Sequence, residues 1–174
     1  MSTKKVRVIG IGSAGAGDDA LGLEAVSILR SRLPRTIDVV SDTSGGSNIP
    51  TFCEGIDFLV IIDAVKPTPN FPPGAMFAWS YPETRSAIDE SFRRSTHSFS
   101  VTEGLALAEQ LGVLPKSVTV FGMAGQHFEP ATGLSATIRL RLNDLVELVL
   151  QHIWRGFASD PPCALSFIPL KVEG

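Results

Sequence analysis

Two adjacent carboxylates at Asp18 and Asp19, a third at Asp63 and an imidazole at His97 are side chains whose types suit transition-metal chemistry. The Asp pair stands at the entrance of a predicted helix, Asp63 at the end of an apolar strand, and His97 just before a second helix. The positive end of that helix disfavours an imidazolium and keeps His97 neutral, the form that binds metal. Two carboxylates and one imidazole from three separate loops make an open site for nickel, zinc or manganese, not a closed structural one. Each residue also has a plain structural reading. One Asp of the pair caps the first helix and the other favours its dipole, while Asp63 caps the turn after its strand. Topology joins them: in a doubly wound sheet ordered 2-1-3-4, the first and third strands are neighbours whose crossovers leave on opposite faces. The crevice opens at their carboxyl ends, where Asp18-Asp19 and Asp63 fall.

Other chemistries fit less well. Gly10-Ile11-Gly12-Ser13-Ala14-Gly15 is a literal G-x-G-x-x-G after a strand, with Asp38 or Asp42 as a candidate ribose-binding acid. A dinucleotide helix, however, starts at the third glycine with bare N–H groups turned to a pyrophosphate, whereas this loop runs on to two carboxylates that repel phosphate. The chain has no G-x-S-x-G elbow for a serine hydrolase. Cys53 reads as a core residue and Cys163 as part of the tail, and their separation argues against a zinc knuckle or a redox dithiol. His127 reads as a surface or loop-bracing residue, and His152, near the end of the last helix, as structural.

The elements that must carry these residues follow from periodicity. Strand patterns at 6–11, 37–41, 58–62, 75–79 and 118–121 alternate with helical ones, which predicts an α/β sheet. The first helix is expected from about Asp19 to Leu33, with Gly22, Ala25, Val26, Leu29 and Leu33 inward. A short helix follows Asn48, and Ser100-Val101-Thr102-Glu103 is a capping box for a helix reaching Leu111. Ser135 opens the last helix, whose buried stripe is Ile138, Leu142, Leu145, Val149 and Ile153. Lys66 to Pro73, with four prolines in eight residues, is a stiff loop. The expected organisation is one domain over residues 1–155 and a tail, 156–174.

With 44% apolar residues in 174, the chain can bury its own core. A net charge of −3 with no clustered run of Lys or Arg, Arg93-Arg94 alone being too little, argues against a nucleic-acid partner. No apolar run approaches the roughly 20 residues that span a bilayer. The amino-terminal segment reads as a strand and not a signal peptide, so a cytoplasmic protein with no membrane role is expected.

Taken in order, several short segments are similar to the hydrogenase maturation endopeptidases, the processing proteases of nickel-iron hydrogenases. They are G-I-G followed by G-D-D-A-L-G (Gly17 to Gly22), V-I-I-D-A-V (Val60 to Val65), Pro73-Gly74, S-T-H (Ser95 to His97) and F-E-P with G-L-S (Phe128 to Ser135). The resemblance spans roughly residues 5–153. It implies a single three-layer α/β domain, a twisted, mostly parallel five-stranded sheet with helices on both faces. It also implies an endopeptidase that removes a C-terminal extension from a hydrogenase large-subunit precursor after nickel insertion. The three metal-contacting residues of such proteins fall on Asp19, Asp63 and His97, and the nickel they recognise belongs to the substrate and is not tightly held by the enzyme. Asp42 is expected in support of substrate binding or cleavage. Ser13 stands where an Asn is usual, Asp42-Thr43-Ser44-Gly45 replaces an Asp-Gly-Gly-Thr-like loop, and Phe99-Ser100 replaces a smaller step. The alternative is a non-proteolytic module of the same fold that binds a metal-loaded partner or a nucleotide.

Overall fold

A computed structural model describes residues 4–81 and 100–158. In it the apolar runs form β1 (Val6–Ile11), β2 (Asp38–Asp42), β3 (Phe58–Val65), β4 (Met76–Tyr81) and β5 (Ser117–Ala124). The helices are α1 (Leu21–Arg32), α2 (Ile49–Cys53), α3 (Val101–Gln110) and α4 (Ala136–Ala158), with a 3-10 turn at Gly17–Ala20 leading into α1. The sheet runs β2-β1-β3-β5-β4, and all pairings are parallel except that of β4 with β5. The fold is therefore the expected α/β one, with a mostly parallel five-stranded sheet between helical layers.

The expected order 2-1-3-4 is corrected beyond β3, because β5 lies between β3 and β4. The reason is the proline-rich connection 66–75. It contains no helix and is too short for a parallel crossover, so β4 returns antiparallel and takes the edge. Every residue of β3 is buried, as suits its central position.

Alternation along the strands sorts the core into two. Val6 and Val8 of β1 and Val60, Ile62 and Ala64 of β3 pack with α1 and α4. Ile9 and Ile11, with Leu59, Ile61 and Val65, pack with α2 and α3. By parity Asp63 lies on the α2/α3 face. The α4 stripe of Ile138, Leu142, Leu145, Val149 and Ile153 is buried as expected, and so is the inner face of α1. Ser100 and Glu103 form the anticipated capping box. Helix α4 continues through Gly156 to Ala158, and residues 159–174 lie outside the described ones. Among the described residues no helix is long and apolar enough to cross a membrane.

Candidate functional site

The carboxyl ends of β1, β2 and β3 are brought together by a close fit of main chains. A side chain on Gly10 would overlap the Gly22 carbonyl, and one on Gly12 would overlap that of Asp19. The glycines of the G-x-G stretch thus let the start of α1 lie flush on β1 instead of making room for a pyrophosphate. The Gly12 N–H donates to Asp42 O at 3.1 Å and the Ser13 N–H to Asp19 O at 3.3 Å, tying the β1 loop to β2 and to the 3-10 turn.

Asp18 and Asp19 are buried in that turn. Neither caps a helix: the residues preceding the 3-10 turn and α1 are Ala16 and Ala20, with no side-chain cap. The capping reading of the pair is therefore corrected. Instead, Asp18 accepts backbone hydrogen bonds from the loop after β5, from Gln126 N–H at 2.6 Å and His127 N–H at 2.9 Å, and from Ser135 N–H at 2.7 Å. Sequence reasoning missed this role because its donors lie far along the chain. The only local signal was a second carboxylate that one helix start does not need.

Asp63 is buried within β3 and does not end it, as the strand continues to Val65. Its Oδ1 accepts the Ala64 N–H at 2.9 Å. Burial first, and then the charge of Asp19, push its carboxyl well above the usual carboxylate range. The Ala64 hydrogen bond opposes this, and Asp42 adds a smaller upward push. Asp42 pairs with Ile11, and Gly10 with Ile62, so Asp42 and Asp63 flank β1 at one level. Two strand spacings put their Cα atoms about 10 Å apart. Asp42 is held by its own loop, accepting from Ser44 N–H at 3.1 Å, Ser44 hydroxyl at 2.8 Å and Asn48 side-chain N–H at 3.3 Å. The Asp-x-Ser turn was the sequence signal for these partners.

Asp19, Asp42 and Asp63 therefore gather at the carboxyl ends of β1, β2 and β3, while His97 lies outside the described residues. Among the described residues no group of three or more His, Cys, Asp or Glu side chains is set to hold a metal ion. The His127 side chain is mostly exposed, as a surface residue, 3.9 Å from Glu129. His152 is structural, as expected. It is buried against Phe58 and Phe121, its Nε2 has no hydrogen-bond partner, and burial, followed by Arg155, lowers its pKa to about 4. Cys53 is a buried thiol whose pKa burial raises to about 11, against the opposing pull of Arg7, which suits a core residue and not a nucleophile.

Comparison with known proteins matches residues 29–152 to the family model for hydrogenase maturation protease, HycI. The chain is similar to the hydrogenase 2 maturation protease of Escherichia coli strain K12, 26% identical over 148 residues that span 84% of this chain and 88% of that one. Its fold is similar to that of the hydrogenase maturating endopeptidase HybD from Escherichia coli, with a TM-score of 0.72 and 24% identity over 86% of this chain and 92% of that one. A solution structure of an Escherichia coli endopeptidase gives a TM-score of 0.78 at 24% identity, covering 95% of this chain and 97% of the other.

Proposed function

The chain belongs to the hydrogenase maturation protease family and is a protease; from that premise we propose that it cuts a C-terminal extension from a nickel-loaded hydrogenase large-subunit precursor. In this reading the nickel is part of the substrate, and Asp19, Asp63 and His97 grip it, with Asp42 in support. The observation that carries the reading is the placement of two buried carboxyl groups, Asp19 and Asp63, at the carboxyl end of a central strand, close enough that repulsion by the Asp19 charge raises the pKa of Asp63. A divalent cation arriving between them relieves that repulsion and replaces lost hydration, so a metal-bearing substrate is favoured over a metal-free one.

His97 is the third ligand of the proposal. It precedes Ser100 by three positions in the sequence, which bounds their Cα separation to about 11 Å. The Ser100 carbonyl in turn packs against Gly46 in the loop that follows Asp42. The proposal requires the imidazole to reach the corner that the carboxylates occupy. Anchoring the substrate through its metal holds one nearby peptide bond in register with the site, and that positioning is the main catalytic contribution of the grip. Carboxylate chemistry of the aspartic type and a cytoplasmic site of action belong to the same reading.

The test is incubation of the protein with nickel-loaded and nickel-free precursor, followed by mass measurement of the products. Loss of a C-terminal peptide from the loaded precursor alone is expected. No cleavage, or equal cleavage of both forms, overturns the reading.

A further inference from the structure

Asp18 is fully buried, and a carboxylate so placed must have both oxygens satisfied by donors. Oδ2 takes the N–H groups of Gln126 and His127, at 2.6 and 2.9 Å, and Oδ1 takes that of Ser135 at 2.7 Å. The main chain repeats the connection: Asp18 N–H donates to His127 O at 2.7 Å and Gly17 N–H to Thr132 O at 3.0 Å. Shape enforces it as well. Gly17, at φ +60°, lies against the His127 carbonyl, and a side chain at Gly125 would overlap the Asp18 Cβ and the Phe128 ring. The other side of this loop faces solvent, with the side chains of His127 and Glu129 55% and 67% exposed.

We infer that Asp18 is a positioning residue, whose carboxylate locks the 126–135 loop to the turn carrying Asp19 so that the loop's outer side chains form a fixed wall for the substrate polypeptide. The inference rests on the proposed role of Asp19 in gripping the substrate's metal. Negative charge is what the position requires. Hydrogen bonds to an ionised acceptor are about twice as strong as neutral ones, and a carboxylate accepts on both sides. An Asn of the same shape accepts on one side only and turns an NH2 towards a donor on the other.

Asp18→Asn is therefore the informative variant, compared with wild type in processing of nickel-loaded precursor and in amide hydrogen exchange. We expect KM to rise about tenfold or more, with kcat within about threefold of wild type. Exchange should accelerate at Ser135 or at Gln126 and His127, with Val60 in the core still protected. A wild-type KM, a fall in kcat at unchanged KM, or unchanged exchange throughout the loop overturns the inference. Loss of Val60 protection would mean that the variant has not folded, and a second variant then decides. The double variant His127→Ala with Glu129→Ala leaves every backbone donor to Asp18 in place. It should raise KM while keeping Ser135 protected, and an unchanged KM overturns the wall. If the wild-type protein processes no precursor, the proposed function fails and the wall with it, while exchange in Asp18→Asn still decides whether the carboxylate anchors the loop.

Discussion

Asp19 and Asp63 lie near enough that the charge of the first raises the pKa of the second, although one belongs to a 3-10 turn and the other to a central strand. Both are buried, and ionising Asp63 beside Asp19 carries a cost to the folded state.

Asp63→Asn removes that cost and, in the proposed mechanism, the grip on the metal. The Asp63 carboxyl binds its proton more readily in the folded chain than at its ordinary value of 3.8. Its contribution to stability is therefore greatest in acid and is lost as pH rises from about 3.8 through the raised folded value. Urea unfolding at pH 7 should show Asp63→Asn more stable by about 1–3 kcal/mol, with processing reduced at least about 100-fold. A variant that is less stable and still active would assign Asp63 a purely structural part.

His152 should act with the opposite sign. Its pKa falls from 6.5 to about 4 on folding, so the stability it contributes is fully present above pH 6.5 and is lost as pH drops towards 4. The loss is on the order of 3 kcal/mol. Replacing His152 by Leu should flatten this acid limb in unfolding curves recorded from pH 7 to pH 4. An acid limb of unchanged steepness would trace the loss to another group.

Dinucleotides should not bind. Gly10 and Gly12 are consumed by contact with Gly22 and Asp19, and two carboxylates occupy the turn where a pyrophosphate would sit. Titration calorimetry with NAD should give no saturable heat, and a Kd below about 10 μM would restore the nucleotide alternative.

Gly10 and Gly15 are both in the G-x-G-x-x-G stretch and should respond differently to alanine. A methyl group at Gly10 overlaps the Gly22 carbonyl and should cost about 1–3 kcal/mol, with loss of thermal stability. Gly15, at φ +73° with open space around it, should cost only about 1 kcal/mol. Equal effects would mean that the flush contact between α1 and β1 is not what the first glycine serves.

What sequence made legible follows the range of the forces involved. The α4 stripe, the inner face of α1 and the Ser100–Glu103 capping box are local patterns of period or spacing, and each was readable in a single pass. The meeting of Asp19 with Asp63 was readable because parallel topology fixes which strand ends are neighbours. The place of β4 was not, since strand order at an edge depends on which connection is too short to cross over. The anchoring role of Asp18 was not readable, because nothing near it in the chain announces Ser135 as its donor. The structural part of His152 was readable from its place in the last helix, whereas its burial between two aromatic rings is set by residues far along the chain.

The three side-chain bonds of Asp18 join positions 108, 109 and 117 residues apart. In a chain growing from its amino terminus at 5–20 residues per second, the Asp19 turn therefore waits roughly 5–20 seconds for the loop that completes it. Closing so long a span costs more chain entropy than closing a local turn or hairpin. A nascent or truncated chain that ends before Ser135 has Asp18 and Asp19 without the last of the three donors to Asp18. If the proposed function and the anchoring role of Asp18 hold, a chain lacking Ser135 should not process precursor, so completion of nearly the whole domain would precede competence to cut.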